Sequence, residues 1–404
     1  PGMVGSHVHL MDPSEPERES FPAGTAAAAR AGVTTVIEHT HSGPVRTVEE
    51  FEEKRRYLCA RSRVDYALAA HVWPDRLTEV VSLWNAGIAC FKAFTCTTHG
   101  VPGFDAARLR QLFQNIAAVN AICLVHCEDD GMTTVAREEL QSDGRSDAWV
   151  IPQWRHRDAE LTALVTATFL ARRTGVRMIA AHVSSAEGLA IVAREQASGG
   201  CILAEGCPQY FVLKEDEVVA EGPFRKFTPP ARAQTMTDQN DMWQALQSGG
   251  INLISSDHAP STRAQKTVGT LWEAPFGLPG LDTTLPVLLD AAAKGLLSYG
   301  RIVEAYSEAP ARAYGLFPRK GSLKVGADAD IVLVDPGLRW TVADSDILSG
   351  AGWSPYSGRT LVGRAVRTYL RGSLVCDDGR VLAEPGMGEF VAGPGYHSAR
   401  GVCL

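Results

Sequence analysis

Short apolar runs punctuate most of the chain, and a polar or ionisable residue closes many of them. Ile88-Ala89-Cys90-Phe91 ends at Lys92, Ile122-Cys123-Leu124-Val125 at His126, Met178-Ile179-Ala180-Ala181 at His182, and Leu253-Ile254-Ser255-Ser256 at Asp257. With Gly5 to His9, the β-branched run Val33-Thr34-Thr35-Val36-Ile37, the run 64–70 and Cys201-Ile202-Leu203-Ala204-Glu205, these predict eight strands. Helical spacing fills the intervals, over 22–31, 47–60, 77–86, 105–119, 158–173, 186–197 and 238–248. Strands alternating with helices give an α/β chain with a parallel sheet, and eight is the number that closes a (β/α)8 TIM barrel. An open doubly wound sheet competes, but no G-x-G-x-x-G or P-loop segment follows the first strand. In a barrel the reactive groups sit at the C-terminal ends of strands, where His126, His182 and Asp257 fall.

The texture changes after about residue 318, where Gly- and Asp-punctuated turns bracket short strands at Ile331-Val332-Leu333-Val334 and Arg367-Thr368-Tyr369-Leu370-Arg371. The expected division is a barrel over 1–317 and a small β domain with a C-terminal tail over 318–404. At 404 residues, with 45% hydrophobic and 21% charged, the chain can bury a substantial core. A net charge of -7 leaves no basic footprint for nucleic acid. No apolar run approaches the ~20 residues of a membrane span, and no signal peptide opens the sequence. Nine cysteines, odd in number and scattered from Cys59 to Cys403, predict reduced thiols and a cytoplasmic setting. Cys207, before a proline, reads as structural. The start at Pro1-Gly2-Met3 has no obvious initiator, so missing upstream residues are expected.

His7-Val8-His9 carries the first chemical signal. Side chains alternate along a strand, so residues two apart point the same way and both imidazoles can grip one ion. Adding His126, His182 and Asp257 gives four nitrogen donors and one carboxylate, a set suited to zinc and also to iron, cobalt or manganese. Five ligands are too many for one tetrahedral catalytic ion and too few for two unless something bridges. Lys92 can bridge only as a carbamate, since an ammonium (pKa about 10.4) would be repelled by two cations. The alternative is a lysine whose stem lines the barrel and whose head is salt-bridged.

The ordered segments resemble the cyclic amidohydrolases, the dihydroorotases, allantoinases and hydantoinases of the amidohydrolase superfamily. The resemblance rests on Pro1-Gly2 with His7-Val8-His9-Leu10, Gly32-Val33-Thr34-Thr35, Phe91-Lys92-Ala93-Phe94, His126-Cys127-Glu128-Asp129 and His182-Val183-Ser184-Ser185. It continues through Cys207-Pro208-Gln209-Tyr210, Pro229-Pro230-Ala231-Arg232, Ser256-Asp257-His258-Ala259-Pro260, Phe276 to Leu281, and Lys320-Gly321 with Gly326-Ala327-Asp328-Ala329-Asp330. It implies a binuclear centre: His7, His9 and Asp257 on one divalent ion, His126 and His182 on the other, carboxylated Lys92 between them. Asp257 would be the general acid and base, the substrate a cyclic amide or ureide, and the assembly a homodimer or homotetramer. The family's small β-sandwich is built from both chain ends, so its N-terminal part is expected to be missing here.

Substrate preference is read from departures. Related dihydroorotases carry an arginine and a histidine, both holding the substrate carboxylate, where this chain has Met11 and Ser261; Arg18 could compensate. Common hydantoinases place a tyrosine where Thr97 stands, although Cys207-Pro208-Gln209-Tyr210 looks hydantoinase-like. The nearest remaining label is allantoinase-like, with dihydroorotase, hydantoinase, dihydropyrimidinase and cyclic imidase as alternatives. Glu38-His39-Thr40-His41-Ser42 replaces the usual Asp and Asn, leaving His39 and His41 as pocket donors or incidental loop residues. His99 reads as a loop histidine that is solvated or closes over substrate, His156 as lying on the surface or just behind the site, and His258 as orienting the site. Backbone near Pro229, Gly277 and Gly280 is expected to shape the pocket. A deaminase and a non-catalytic relative remain as other classes.

Overall fold

The computed structural model describes residues 1–39 and 41–396, so Thr40 and Cys403 lie outside the described residues. Eight parallel strands stand in sequence order around the barrel: β1 (Met3–Val8), β2 (Val33–Glu38), β3 (Asp65–His71), β4 (Cys90–Phe94), β5 (Ile122–His126), β6 (Arg177–Ala180), β7 (Ile202–Gly206) and β8 (Leu253–Ile254). β1 to β5 are buried along their whole length, as expected for a parallel sheet covered on both faces. The seam between β8 and β1 closes without a regular ladder. The His9 amide donates to the His258 carbonyl at 2.7 Å, and the His7 amide to the Ser255 hydroxyl oxygen at 2.8 Å.

That seam explains why β8 is two residues long where the apolar pattern predicts 251–257. The Ser255 side chain takes the place of a ladder partner, and Asp257 leaves extended backbone at φ +47°. His182 likewise stands two residues past β6, at φ +37°. Both side chains are therefore aimed by a kink at a strand end rather than by the strand.

The predicted helices form as Phe21–Arg30, Val48–Cys59, Ala106–Ala118, Arg157–Thr174, Ala186–Ala197 and Met236–Ser248. Ser20, Thr47, Asp105, Ser185 and Thr235 cap five of them by accepting a first-turn amide. The helix expected over 77–86 opens with one 3-10 turn and is α-helical only over Val80–Ala86. Asp130–Ser142 is a further helix outside the predicted intervals, and only Thr133 on it is buried.

Four antiparallel strands form the second sheet, in the order β12-β11-β10-β9: β9 (Ile331–Thr341), β10 (Thr360–Leu370), β11 (Ser373–Asp377) and β12 (Arg380–Val381). Among the described residues it is a single sheet rather than two facing ones. Beyond it the chain returns to the barrel, where Tyr66 donates its amide to Glu389 and accepts from Val391 at 2.9 and 2.7 Å. Lys320, fully buried, meets Asp65 at 2.5 Å and Asp328 and Asp330 at 2.8 Å each. That acidic trio thus holds an ammonium and ties the segment before β9 to the start of β3. Among the described residues no helix is long and apolar enough to cross a membrane.

Candidate active site

His7, His9, Lys92, His126, His182 and Asp257 all line one cavity at the C-terminal end of the barrel. His7 and His9 lie with ring centroids 5.1 Å apart. The Nε2 of His7 is 3.4 Å, and that of His9 3.3 Å, from Oδ1 of Asp257. Across the cavity, Nδ1 of His126 faces Nε2 of His182 at 3.0 Å. The Lys92 Nζ lies 3.1 Å from Nε2 of His7.

Each imidazole is aimed by what its other nitrogen touches. Glu205, closing β7, sits 2.8 Å from Nδ1 of His7 and also accepts the His182 amide at 3.1 Å. The His39 carbonyl takes Nδ1 of His9 at 2.9 Å and Nε2 of His71 at the same distance. Glu128 holds Nε2 of His126 at 2.7 Å while binding Arg155 at 3.2 Å and the Thr228 hydroxyl at 2.6 Å. Burial alone would raise the Glu128 carboxyl, but Arg155, His126 and Thr228 outweigh it and hold the pKa at about 2. Cys96 and Glu128 beside His126 therefore surround a guanidinium, with Arg155 Nη1 3.3 Å from the Cys96 sulfur.

Burial pushes the pKa values of His7, His126 and His182 down, so their rings are neutral with lone pairs free. The same cause lowers Lys92 against the pull of Asp257 and Glu205. Nδ1 of His182 is buried with no hydrogen-bond partner.

The other predicted pocket residues divide. His41 and Gly277 line the cavity. Gly277 must be glycine: its φ is +114° and a Cβ would meet the Ala259 carbonyl oxygen at 2.2 Å. Met11 is buried outside the lining, its sulfur 4.0 Å from the Ser42 hydroxyl. Thr97 is exposed, with its amide on Asp130 at 2.5 Å and its hydroxyl oxygen accepting from Gly103 at 3.2 Å. Pro229 spends its carbonyl on the Tyr210 hydroxyl at 2.9 Å, and Gly280 donates its amide to Nδ1 of His258 at 3.0 Å. His258 thus orients the 280–281 backbone, with its Nε2 3.3 Å from Glu19.

The sequence reading passed over Phe94, Phe227, Thr228, Ala259 and Phe276 in the lining, and Glu205 and Glu128 behind it. Glu205 carried a readable signal, since it follows Ile202-Leu203-Ala204 as the other strand-end groups follow their runs. The aromatic residues carried none, being indistinguishable from core. The described cysteines are all free thiols.

A parallel eight-stranded barrel gathering histidines, a lysine and an aspartate at its strand ends defines an enzyme of the barrel hydrolase class. Residues 1–351 match the Amidohydrolase family. The chain is 33% identical to a dihydroorotase of Halobacterium salinarum, over 96% of this chain and 88% of that protein. It is equally 33% identical to an allantoinase of Rubrobacter xylanophilus, over 97% and 86%. The solved L-hydantoinase (dihydropyrimidinase) from Arthrobacter aurescens superposes with a TM-score of 0.93 at 32% identity, covering 97% of this chain and 88% of that one. The chain belongs to the amidohydrolase family and is an enzyme of its cyclic amidohydrolase group.

Proposed function

We propose that this protein is a binuclear metal-dependent hydrolase that opens a neutral five-membered cyclic ureide, an allantoin- or hydantoin-type ring. One observation carries the reading: four histidine nitrogens, the Asp257 carboxylate and the Lys92 amine share one cavity. The donor set fits a pair of ions. Two ligands of one tetrahedral zinc, each at about 2.0–2.1 Å, stand about 3.3 Å apart, close to the spacings His9–Asp257, His7–Asp257 and His126–His182. His7, His9 and Asp257 would hold one ion, and His126 and His182 the other. Lys92, whose amine burial shifts toward its neutral form, would bridge them as a carbamate. Zinc is the natural choice for these donors, with iron, cobalt and manganese as further candidates.

Bound cations supply Lewis acidity, lowering the pKa of water toward 7 and polarising a carbonyl. The residues do the rest. Asp257, facing the cavity beside His7 and His9, takes a proton from the attacking water as the C–O bond forms. It returns that proton to the ring nitrogen as the C–N bond breaks, leaving a ureido group and a carboxylic acid that gives up its own proton to solvent. Glu205 and the His39 carbonyl keep the Nε2 atoms of His7 and His9 turned into the cavity. Glu205→Gln is expected to weaken metal retention by about 10- to 100-fold in a chelator competition; retention within about twofold of wild type would remove Glu205 from that role.

A neutral ring is favoured because two positive groups near the cavity are spent: Arg155 on Glu128, and Lys226 on the carbonyls of Leu271, Trp272 and Ala274. A second reading, dihydroorotate, has one observation behind it. Arg18 donates through Nε to Ser261 Oγ at 3.2 Å, and its Nη2 is buried without a partner. Turnover of the metal-loaded protein on allantoin, hydantoin, dihydrouracil, succinimide and dihydroorotate separates the two: the first reading expects allantoin or hydantoin to lead by at least tenfold in kcat/KM. Dihydroorotate in first place would replace it.

A further inference from the structure

Two stretches of the cavity lining, Phe227-Thr228 and Phe276-Gly277, are distant in the chain and are joined through a pair of lysines, each only 1% exposed. Nζ of Lys226 donates to the carbonyls of Leu271, Trp272 and Ala274 at 2.7, 3.0 and 2.5 Å. Nζ of Lys266 donates to the Pro275 carbonyl at 2.8 Å and to the Lys226 carbonyl at 3.0 Å. That last oxygen also accepts the Gly277 amide at 3.0 Å. Among the described residues no backbone amide donates to the carbonyls of Leu271, Trp272, Ala274 or Pro275, and no carboxylate pairs with either lysine.

Between Thr267 and Leu278 the chain forms neither helix nor strand, so its carbonyls must find partners elsewhere or stay unpaired at a cost. Three of them converge on one nitrogen, and only an ammonium carries the three N–H groups that meet them. Burial, then the charge of Arg155, pushes the Lys226 pKa down to about 7, while the carbonyl oxygens oppose that shift by favouring the charged form. The rings of Phe276 and Trp154 lie 4.5 and 5.6 Å from the same Nζ and favour the cation too. On the outer side Trp272 packs on Trp154 with centroids 5.2 Å apart and donates its indole N–H to the Arg145 carbonyl at 2.9 Å. Backbone oxygens thus close around two cations, and Phe276 and Gly277 are the next residues along.

We infer that Lys226 is a positioning residue of this active site: with Lys266 it gathers the 271–275 carbonyls into a cage and so fixes Phe276 and Gly277 as the wall against which the substrate is held. The inference rests on the ureide reading for the substrate, whereas the cage can be measured without one. Two features make the placement exacting. Gly277 approaches the Ala259 carbonyl so closely that a Cβ would meet it at 2.2 Å, which leaves the wall no slack. Lys226 also leads directly into Phe227 and Thr228, so one residue sets two sides of the cavity.

The test uses the zinc-loaded full chain and two variants. Lys226→Met keeps the bulk of the stem and removes every donor, whereas Lys226→Gln retains two N–H groups. Hydrogen exchange read by mass spectrometry follows peptides over 268–277, where the amides of Glu273, Ala274 and Gly277 are bonded. KM and kcat are measured on the ring that wild type opens fastest. Lys226→Met is expected to speed exchange over 268–277 and to raise KM by about tenfold each, the scale of a lost charge-assisted hydrogen bond. The value of kcat should stay within about threefold, with zinc content unchanged, and Lys226→Gln should fall between wild type and Lys226→Met. Unchanged exchange or unchanged KM in Lys226→Met overturns the inference, as does a Lys226→Gln more impaired than Lys226→Met, which would make the lysine a filler of space. A loss of zinc, or a fall in kcat at constant KM, overturns it equally. If Lys226→Met does not fold, Lys226→Gln decides alone, with about threefold expected in both readings and no change overturning. If wild type opens no ring, the ureide reading falls and the calorimetric Kd for hydantoin decides: about tenfold weaker binding by Lys226→Met supports this inference, and equal Kd or no binding by wild type overturns it.

Discussion

Lys92→Ala is expected to lower the bound metal from about two equivalents per chain to one or none, and turnover by at least about 10³-fold. The magnitude follows from the several kcal/mol that Lewis-acid stabilisation contributes at such a site, with each 1.36 kcal/mol worth tenfold in rate. Lys92 is 2% exposed, and its Nζ is 3.1 Å from His7 and part of the same cavity as Asp257. Elemental analysis and a turnover assay on the same preparation check both halves. Mass spectrometry of wild type under gentle conditions should find one added carbon dioxide on a peptide containing Lys92. Full activity in Lys92→Ala, or an unmodified lysine in active protein, would rule out the bridged pair. An unmodified lysine with one ion per chain would instead favour a mononuclear deaminase.

The largest stability effect is expected at the opposite end of the barrel. Lys320→Met should cost about 3–5 kcal/mol, because it leaves the buried Asp330 carboxylate without a counter-charge and Asp65 with Arg371 alone. Lys320 and Asp65 are both 0% exposed, and Asp330 nearly so. Burial disfavours the ammonium, yet Asp65 and Asp330 pull its pKa above the usual value, so the cluster is built around a charged lysine. Arg371 and the Glu389 amide also bind Asp65, but neither reaches the place of the missing ammonium. Urea denaturation measures the loss. Asp65 opens β3 whereas the reactive groups close strands, so kcat at low temperature should be unchanged; a loss below about 1 kcal/mol would mean that water or rearrangement replaces the lysine.

What could be read in advance follows from which signals survive in one dimension. Lys92, His126, His182 and Asp257 were legible because each interrupts an apolar run, and strand ends of a barrel converge. The small antiparallel sheet was visible through its Gly and Asp turns, although β9 and β10 run further than their apolar segments. Glu128 was hidden in the acidic stretch Glu128-Asp129-Asp130, where nothing separates a buried carboxylate from a helix cap. The Asp130–Ser142 helix was passed over although Met132, Val135, Ala136 and Leu140 fall at helical spacing. Phe94, Phe227 and Phe276 come together only in space. Thr97, five residues after Lys92, is exposed, while His99 beyond it in the same loop lines the cavity.

Met11, His99, His182 and Asp257 share left-handed backbone without being glycine, and all four border the cavity or the segments that form it. Each such residue costs about 1–2 kcal/mol relative to relaxed geometry, so the rim is a reservoir of deliberate discomfort that the barrel beneath must hold in tension. Searches for heat-resistant variants should accordingly harvest their gains from the outer helices and the second sheet. Relaxing the rim itself would trade catalysis for toughness.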